Sequence, residues 1–268
     1  MSKKKQRHMS PAEKGRRAVM IVMAVIAAGS LGYFAFYCYQ ASHTEQEFEQ
    51  LAELKETDIV VNPESFFTKT DEEAPDILED YKTLYNKNKS LIGWLKIDDT
   101  IIDYPVMQSQ NEDYYLEHDF EQNFDKNGTL FINADAKIWP RSQNLIIFGH
   151  NMKSGKMFGT LGKYKDQSYY EKHKTIQFDT LYEKGTYEVM YAFLSDVYTE
   201  DEITFKYYQF LDANSEIEFN SYMEEMKNMS LYDTGVTASF ADQLLTLSTC
   251  DHDTAEAERF VVVAKRIR

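Results

Sequence analysis

Hydrophobic and polar positions follow three different rhythms along the chain. Residues 18–39 carry no charge, are rich in Ala, Val, Ile and Met, and end in Tyr33, Phe34, Phe36, Tyr37 and Tyr39. At about 1.5 Å per helical residue, such a run crosses a bilayer core of about 30 Å. Helical spacing then appears in the polar stretch 44–57, where Phe48, Leu51 and Leu54 predict an amphipathic helix. Ile77, Leu78, Tyr81, Leu84 and Tyr85 predict a second helix starting after Pro75. Between these two, residues 61–74 read as an irregular acidic link. From Gly93 onward the runs shorten to strand length: 93–97, 100–106, 128–132, 144–148, 175–181, 186–194, 243–248 and 260–267. Asp98-Asp99, Asn127-Gly128 and Glu183-Lys184-Gly185 supply turn signals between them. That many strands in one domain predict a closed or nearly closed barrel. One helix interrupts them before the 243–248 strand: Ser215 and Glu218 form a capping-box pair, and Phe219, Tyr222, Met223 and Met226 make one apolar face.

Charge orients this layout. Lys3, Lys4, Lys5, Arg7, Lys14, Arg16 and Arg17 precede the apolar run against a single acid, Glu13. A basic flank holds an N-terminus in the cytoplasm, and tyrosines suit the opposite interface. A cleaved signal peptide is the competing reading, since Ala27, Ala28 and Gly29 offer small residues near a cut. The apolar run continues well past them, however, which favours an uncleaved anchor. The expected organisation is a cytoplasmic tail over 1–17, a transmembrane anchor over 18–39, N-terminal helices and linker packing on the barrel over 40–92, and a barrel over 93–268 outside the cell.

Composition narrows the function classes. With 43% hydrophobic and 14% aromatic residues the chain can bury a substantial core, so disorder is excluded as the main state. Its formal charge of −15, concentrated beyond the basic tail, argues against a nucleic-acid partner.

Only two cysteines occur, Cys38 at the end of the apolar run and Cys250 far away, which makes them poor disulfide partners. Cys250 ends the apolar run Thr246-Leu247-Ser248-Thr249, just before the turn-prone Asp251-His252-Asp253. A thiol at a strand end faces a groove while the sheet holds its backbone. His150 ends a second such run, Phe148-Gly149-His150-Asn151, where the glycine leaves room for close backbone approach. Arg259 opens the last run and reaches the same rim if the two strands are neighbours; on spacing alone, a salt bridge with Asp253, Glu256 or Glu258 competes for it. A zinc site of His150, Cys250 and His252 lacks paired CxxC or HxxxH spacing, and no metal is expected.

These segments resemble the class B sortases of Gram-positive bacteria. The matching residues are Thr246-Leu247-Ser248-Thr249-Cys250, Phe148-Gly149-His150-Asn151 and Arg259-Phe260-Val261-Val262-Val263-Ala264-Lys265. Ile102-Asp103-Tyr104-Pro105-Val106, Asp113-Tyr114-Tyr115-Leu116 and Gly128-Thr129-Leu130-Phe131-Ile132 add to them in family order. The resemblance implies an eight-stranded sortase barrel, mainly β, with two N-terminal helices and a long helix before the nucleophile strand. It implies catalytic Cys250, His150 and Arg259, no cofactor, and a transpeptidase that cleaves a C-terminal sorting motif of secreted proteins after threonine. The acceptor it implies is an amine of a peptidoglycan stem peptide or its lipid-linked precursor, or a pilin lysine. Ser248, Thr249 and Asp251 are the expected substrate contacts. Two other readings remain at this level. One is a hydrolytic cysteine peptidase, although papain-like enzymes place Cys before His and the caspase signature is missing. The other is a catalytically inactive wall-binding domain.

Overall fold

A computed structural model of the chain describes residues 11–55, 74–111, 113–198, 201–202, 204–250 and 258–268. The acidic link over 61–73, the first ten residues, Asp251, His252, Asp253 and Glu256 lie outside the described residues. The chain forms two compact units, Met1–Gln46 and Glu47–Arg268.

Helix α1 (Pro11–Lys55) is continuous, where separate segments over 18–39 and 44–57 were expected. Nothing in Gln40-Ala41-Ser42-His43 is a helix breaker, so propagation carries the backbone through. Val19–Phe36 within α1 is long and apolar enough to cross a membrane, and none of it is buried inside the protein. At the other end of α1, Phe48 and Leu51 are buried in the core of the second unit and Leu54 packs against it. There the Lys55 ammonium lies over the rings of Tyr81 and Trp94. Burial pushes its pKa down, against the opposing pull of Asp179 and Asp103.

Helix α2 (Glu79–Lys87) starts later than its apolar pattern suggests. Leu78 is extended, and its N–H donates to Leu181 O at 2.8 Å, so the barrel captures the residue that would have opened the helix. Tyr81 and Leu84 are buried as their spacing predicts.

The eight strands are β1 (Leu91–Lys96), β2 (Asp103–Gln108), β3 (Leu130–Ile132), β4 (Asn144–Phe148), β5 (Thr175–Thr180), β6 (Thr186–Asp196), β7 (Leu244–Cys250) and β8 (Glu258–Arg266). They close into a barrel in the order β1-β2-β3-β4-β7-β8-β6-β5. The β2–β3 and β4–β7 pairs are parallel, and the remaining pairs are antiparallel. Strand β2 begins later than expected because Thr100 closes a turn instead: its Oγ1 donates to Ile97 O at 2.7 Å and accepts from Ile102 N–H at 3.1 Å.

Two cores flank the wall made by β6, β7 and β8. The barrel interior takes Leu245, Leu247, Phe260, Val262 and Ala264. The outer face presents Leu244, Val261 and Val263 to α4 (Glu216–Met229), which follows the short helix α3 (Gln167–Tyr170) in the chain. The unbroken apolar run of β8 thus reflects a strand buried on both sides. Phe219, Met223 and Met226 of α4 are buried in this outer core. The Ser215 hydroxyl caps α4 by accepting from Glu218 N–H at 3.2 Å. The Glu218 carboxylate reaches back one residue beyond the cap, to Asn214 N–H at 2.6 Å.

Candidate active site

The parallel pairing of β4 with β7 sets the site. Its register runs from Asn144 opposite Leu244 to Phe148 opposite Ser248. One step on, Gly149 N–H donates to Ser248 O at 3.2 Å and the Thr249 hydroxyl donates to Gly149 O at 2.7 Å. His150 and Cys250 are the next residues of these two locked segments. On the other side of β7, Cys250 is the register partner of Arg259 in β8. Cys250 and Arg259 are therefore register partners on adjacent strands, and His150 follows two residues beyond the end of β4, at the same end of the barrel. With neighbouring strands about 4.8 Å apart, the ends of β4 and β8 on either side of β7 are about 10 Å apart in backbone terms.

Each of the three is held by a separate device. Gly149 allows β3 and the 150s loop to close on β4: a Cβ there would overlap Leu130 Cδ2 and lie 2.9 Å from Phe158 Cδ2. His150 is half-buried, its carbonyl accepts from Phe158 N–H at 3.0 Å, and its Nε2 lies 2.7 Å from Leu116 O. Arg259 is half-buried between Cys250 and Ser195 in register, with Nη1 3.4 Å from Glu258 O. Of the acids near Arg259 in sequence, Asp253 and Glu256 fall outside the described residues. The start of β7 is fixed by the Arg141 guanidinium, which donates to Leu244 O at 2.8 Å and to the Tyr187 hydroxyl at 3.1 Å.

Ser248 and Thr249 were expected to touch substrate, and their positions give a different part to their side chains. Both are buried. Ser248 Oγ is 2.7 Å from the Tyr207 hydroxyl, and Thr249 Oγ1 is committed to Gly149 O. Neither hydroxyl is exposed; each ties β7 to a neighbouring element just before Cys250.

Sequence reasoning missed Tyr207, which sits in a short 3-10 turn with no apolar period to mark it. Tyr207→Phe leaves Ser248 Oγ without this partner in a dry site, and such a loss costs about 1–3 kcal/mol. The expected result is a lower urea-unfolding midpoint with an unchanged slope, and little change in turnover. A large loss of activity with no loss of stability would contradict this supporting role.

Comparison with known proteins agrees with this architecture. The sortase domain model matches residues 95–267. Sortase B of Staphylococcus aureus is 33% identical over 189 residues, covering 70% of this chain and 75% of that one. Sortase B of Listeria monocytogenes is 34% identical over 196 residues, covering 72% and 76%. Among solved structures, Bacillus anthracis sortase B in complex with AAEK1 aligns with a TM-score of 0.71 and 29% identity, over 86% of this chain and 99% of that one. With the eight-stranded barrel already in place, these matches establish that the chain belongs to the class B sortases and is a cysteine transpeptidase.

Proposed function

We propose that the Cys250 thiolate is the nucleophile, His150 the proton carrier and Arg259 the oxyanion partner of this transpeptidase. The observation that supports this is that Cys250 and Arg259 are register partners on β7 and β8 while His150 follows the end of β4, the strand on the other side of β7. Sulfur attacks the carbonyl carbon of a threonine in a sorting motif near the C-terminus of a secreted protein, and negative charge develops on the carbonyl oxygen. The guanidinium of Arg259 stabilises that charge as it forms. The C–N bond then breaks, and protonated His150 gives its proton to the departing amine, leaving a thioester on Cys250. An incoming amine attacks the thioester and loses a proton to His150, and the thiolate departs. Asp251, next to the nucleophile in sequence, is proposed as a substrate contact.

The same reading places the enzyme in the cell envelope. Residues 18–39 form the anchor, the basic residues before them remain in the cytoplasm, and the barrel works outside. The apolar 18-residue window in α1, unburied within the protein, supports this. The acceptor is an amine of the cell wall, from a peptidoglycan stem peptide or its lipid-linked precursor, or a pilin lysine.

The deciding experiment incubates the full-length protein in detergent with a threonine-containing motif peptide and a primary amine, followed by intact-mass and product analysis. A thioacyl mass on Cys250 and an amine adduct of the peptide are expected. Cleavage that yields only the free acid at high amine concentration would replace transfer with hydrolysis. Arg259→Ala is expected to lower kcat by about a hundred- to a thousandfold, the range for loss of one oxyanion donor. Arg259→Lys restores only part of it, because an ammonium lacks the planar fork. Steady-state kinetics on both variants checks this, and an undiminished kcat in Arg259→Ala would remove that residue from the mechanism.

A further inference from the structure

Resting on the reading of His150 as proton carrier, we infer that Gly128 and the Leu116 carbonyl form a positioning device that fixes His150 as its Nε2–H tautomer. Nδ1 is then the nitrogen that exchanges protons with the substrate.

The first half of the argument is chemical. His150 Nε2 lies 2.7 Å from Leu116 O. A carbonyl oxygen only accepts, so Nε2 carries the hydrogen whether the ring is neutral or charged. In the neutral ring the lone pair therefore sits on Nδ1, and in the charged ring Nδ1–H is the donor left for the leaving amine. Without this partner the ring would divide between two tautomers and two flipped orientations, and part of the population would present the wrong nitrogen.

The second half concerns what holds the carbonyl. Leu116 ends a 3-10 turn (Tyr114–Leu116), and its N–H donates to Asp113 O at 3.1 Å. Thr129 fastens this turn twice, its N–H donating to Tyr115 O at 2.8 Å and its hydroxyl to His118 O at 2.9 Å. Gly128 lies directly against the two carbonyls. A Cβ at this position would overlap Tyr115 O and come within 2.6 Å of Leu116 O, and φ is +61°. Those obstacles are backbone atoms and cannot swing aside as a side chain would. The residues just after Gly128 enter β3, whose Leu130 packs on Gly149 beside His150. One short segment thus sets both ends of the His150 hydrogen bond.

The protein contains its own reference for the measurement. His118 and His173 place Nδ1, not Nε2, against carbonyls, 2.7 Å from Tyr114 O and 2.9 Å from Tyr169 O. In 15N-histidine-labelled full-length protein, at a pH where the rings are neutral, His150 is expected to show a protonated Nε2 while His118 and His173 show a protonated Nδ1. His150→Gln assigns the signal. Gly128→Ala is expected to mix the His150 tautomers and lower kcat about ten- to a hundredfold, as slight misplacement of a reacting group does, with KM changed by less than about twofold. Gly235→Ala is the control: its φ is +75° with nothing within 4 Å of a new Cβ, so it imposes similar backbone strain with no contact to the Leu116 turn. It should leave both tautomer and kcat unchanged. A protonated Nδ1 on His150 in the parent protein overturns the inference, as does Gly128→Ala with a pure Nε2–H ring and a reduced kcat. If Gly128→Ala fails to fold, the tautomer of the parent protein decides alone. Full activity of His150→Ala would instead overturn the catalytic reading beneath it.

Discussion

Cys250→Ala is expected to abolish transfer, lowering the rate of amine-adduct formation by about ten-thousandfold or more, with no thioacyl mass detectable. The size follows from the chemistry: the acyl group passes through a bond to sulfur, and alanine offers no atom to form it. Removing a nucleophile from a group of residues that act as a unit costs nearly the whole chemical acceleration, since the others have nothing to assist. The fold should survive, because β7 is held by its ladders to β4 and β8 and by the Thr249–Gly149 bond, none of which uses the sulfur of Cys250. Cys38 is the other cysteine in the chain, so Cys38→Ala is the matched control and should retain full activity. Rapid-quench product analysis with intact-mass detection reads both. Adduct formed at the parent rate by Cys250→Ala would end the thioacyl mechanism.

His150→Ala is expected to reduce kcat/KM by about a hundred- to ten-thousandfold, the range for a positioned general acid–base group. The loss is smaller than for Cys250 because a thiol ionises to some extent without help. Proton delivery has no such substitute, since an amide nitrogen leaving without a proton is a very poor leaving group. Thioacyl formation should therefore slow more than binding weakens, with kcat falling and KM nearly constant. Single-turnover acylation of the motif peptide by this variant provides the measurement. A parent-like acylation rate would show that another group carries the proton.

How much of this was legible in the sequence depends on which force governs each element. Strand β4 spans the very residues 144–148 that its apolar run marks, because local pattern and tertiary burial agree there. Helix α4 was legible for the same reason: Ser215, Glu218 and the Phe219–Met223–Met226 face act within one element. The start of α2 was not, since Leu78 answers to Leu181, a residue distant in the chain. Sequence also named His150, Cys250 and Arg259 as candidates but could not supply the order β4-β7-β8 that brings the segments carrying them to neighbouring positions. Ser248 and Thr249 looked like rim residues because they adjoin the thiol in sequence. Tyr207 and Gly149, both far away in the chain, draw their hydroxyls inward. Leu116 was invisible as a functional residue because it contributes a main-chain oxygen, which every residue type possesses.

The parallel run of β4 beside β7 has an evolutionary consequence. Both strands run toward the same rim, so His150 and Cys250 leave the ladder at one end of the barrel. Changes in the segment after His150 leave the ladder below it, from Asn144–Leu244 to Phe148–Ser248, unbroken. The rim beyond β4 is thereby free to vary in length and sequence while the paired strands beneath it stay in register.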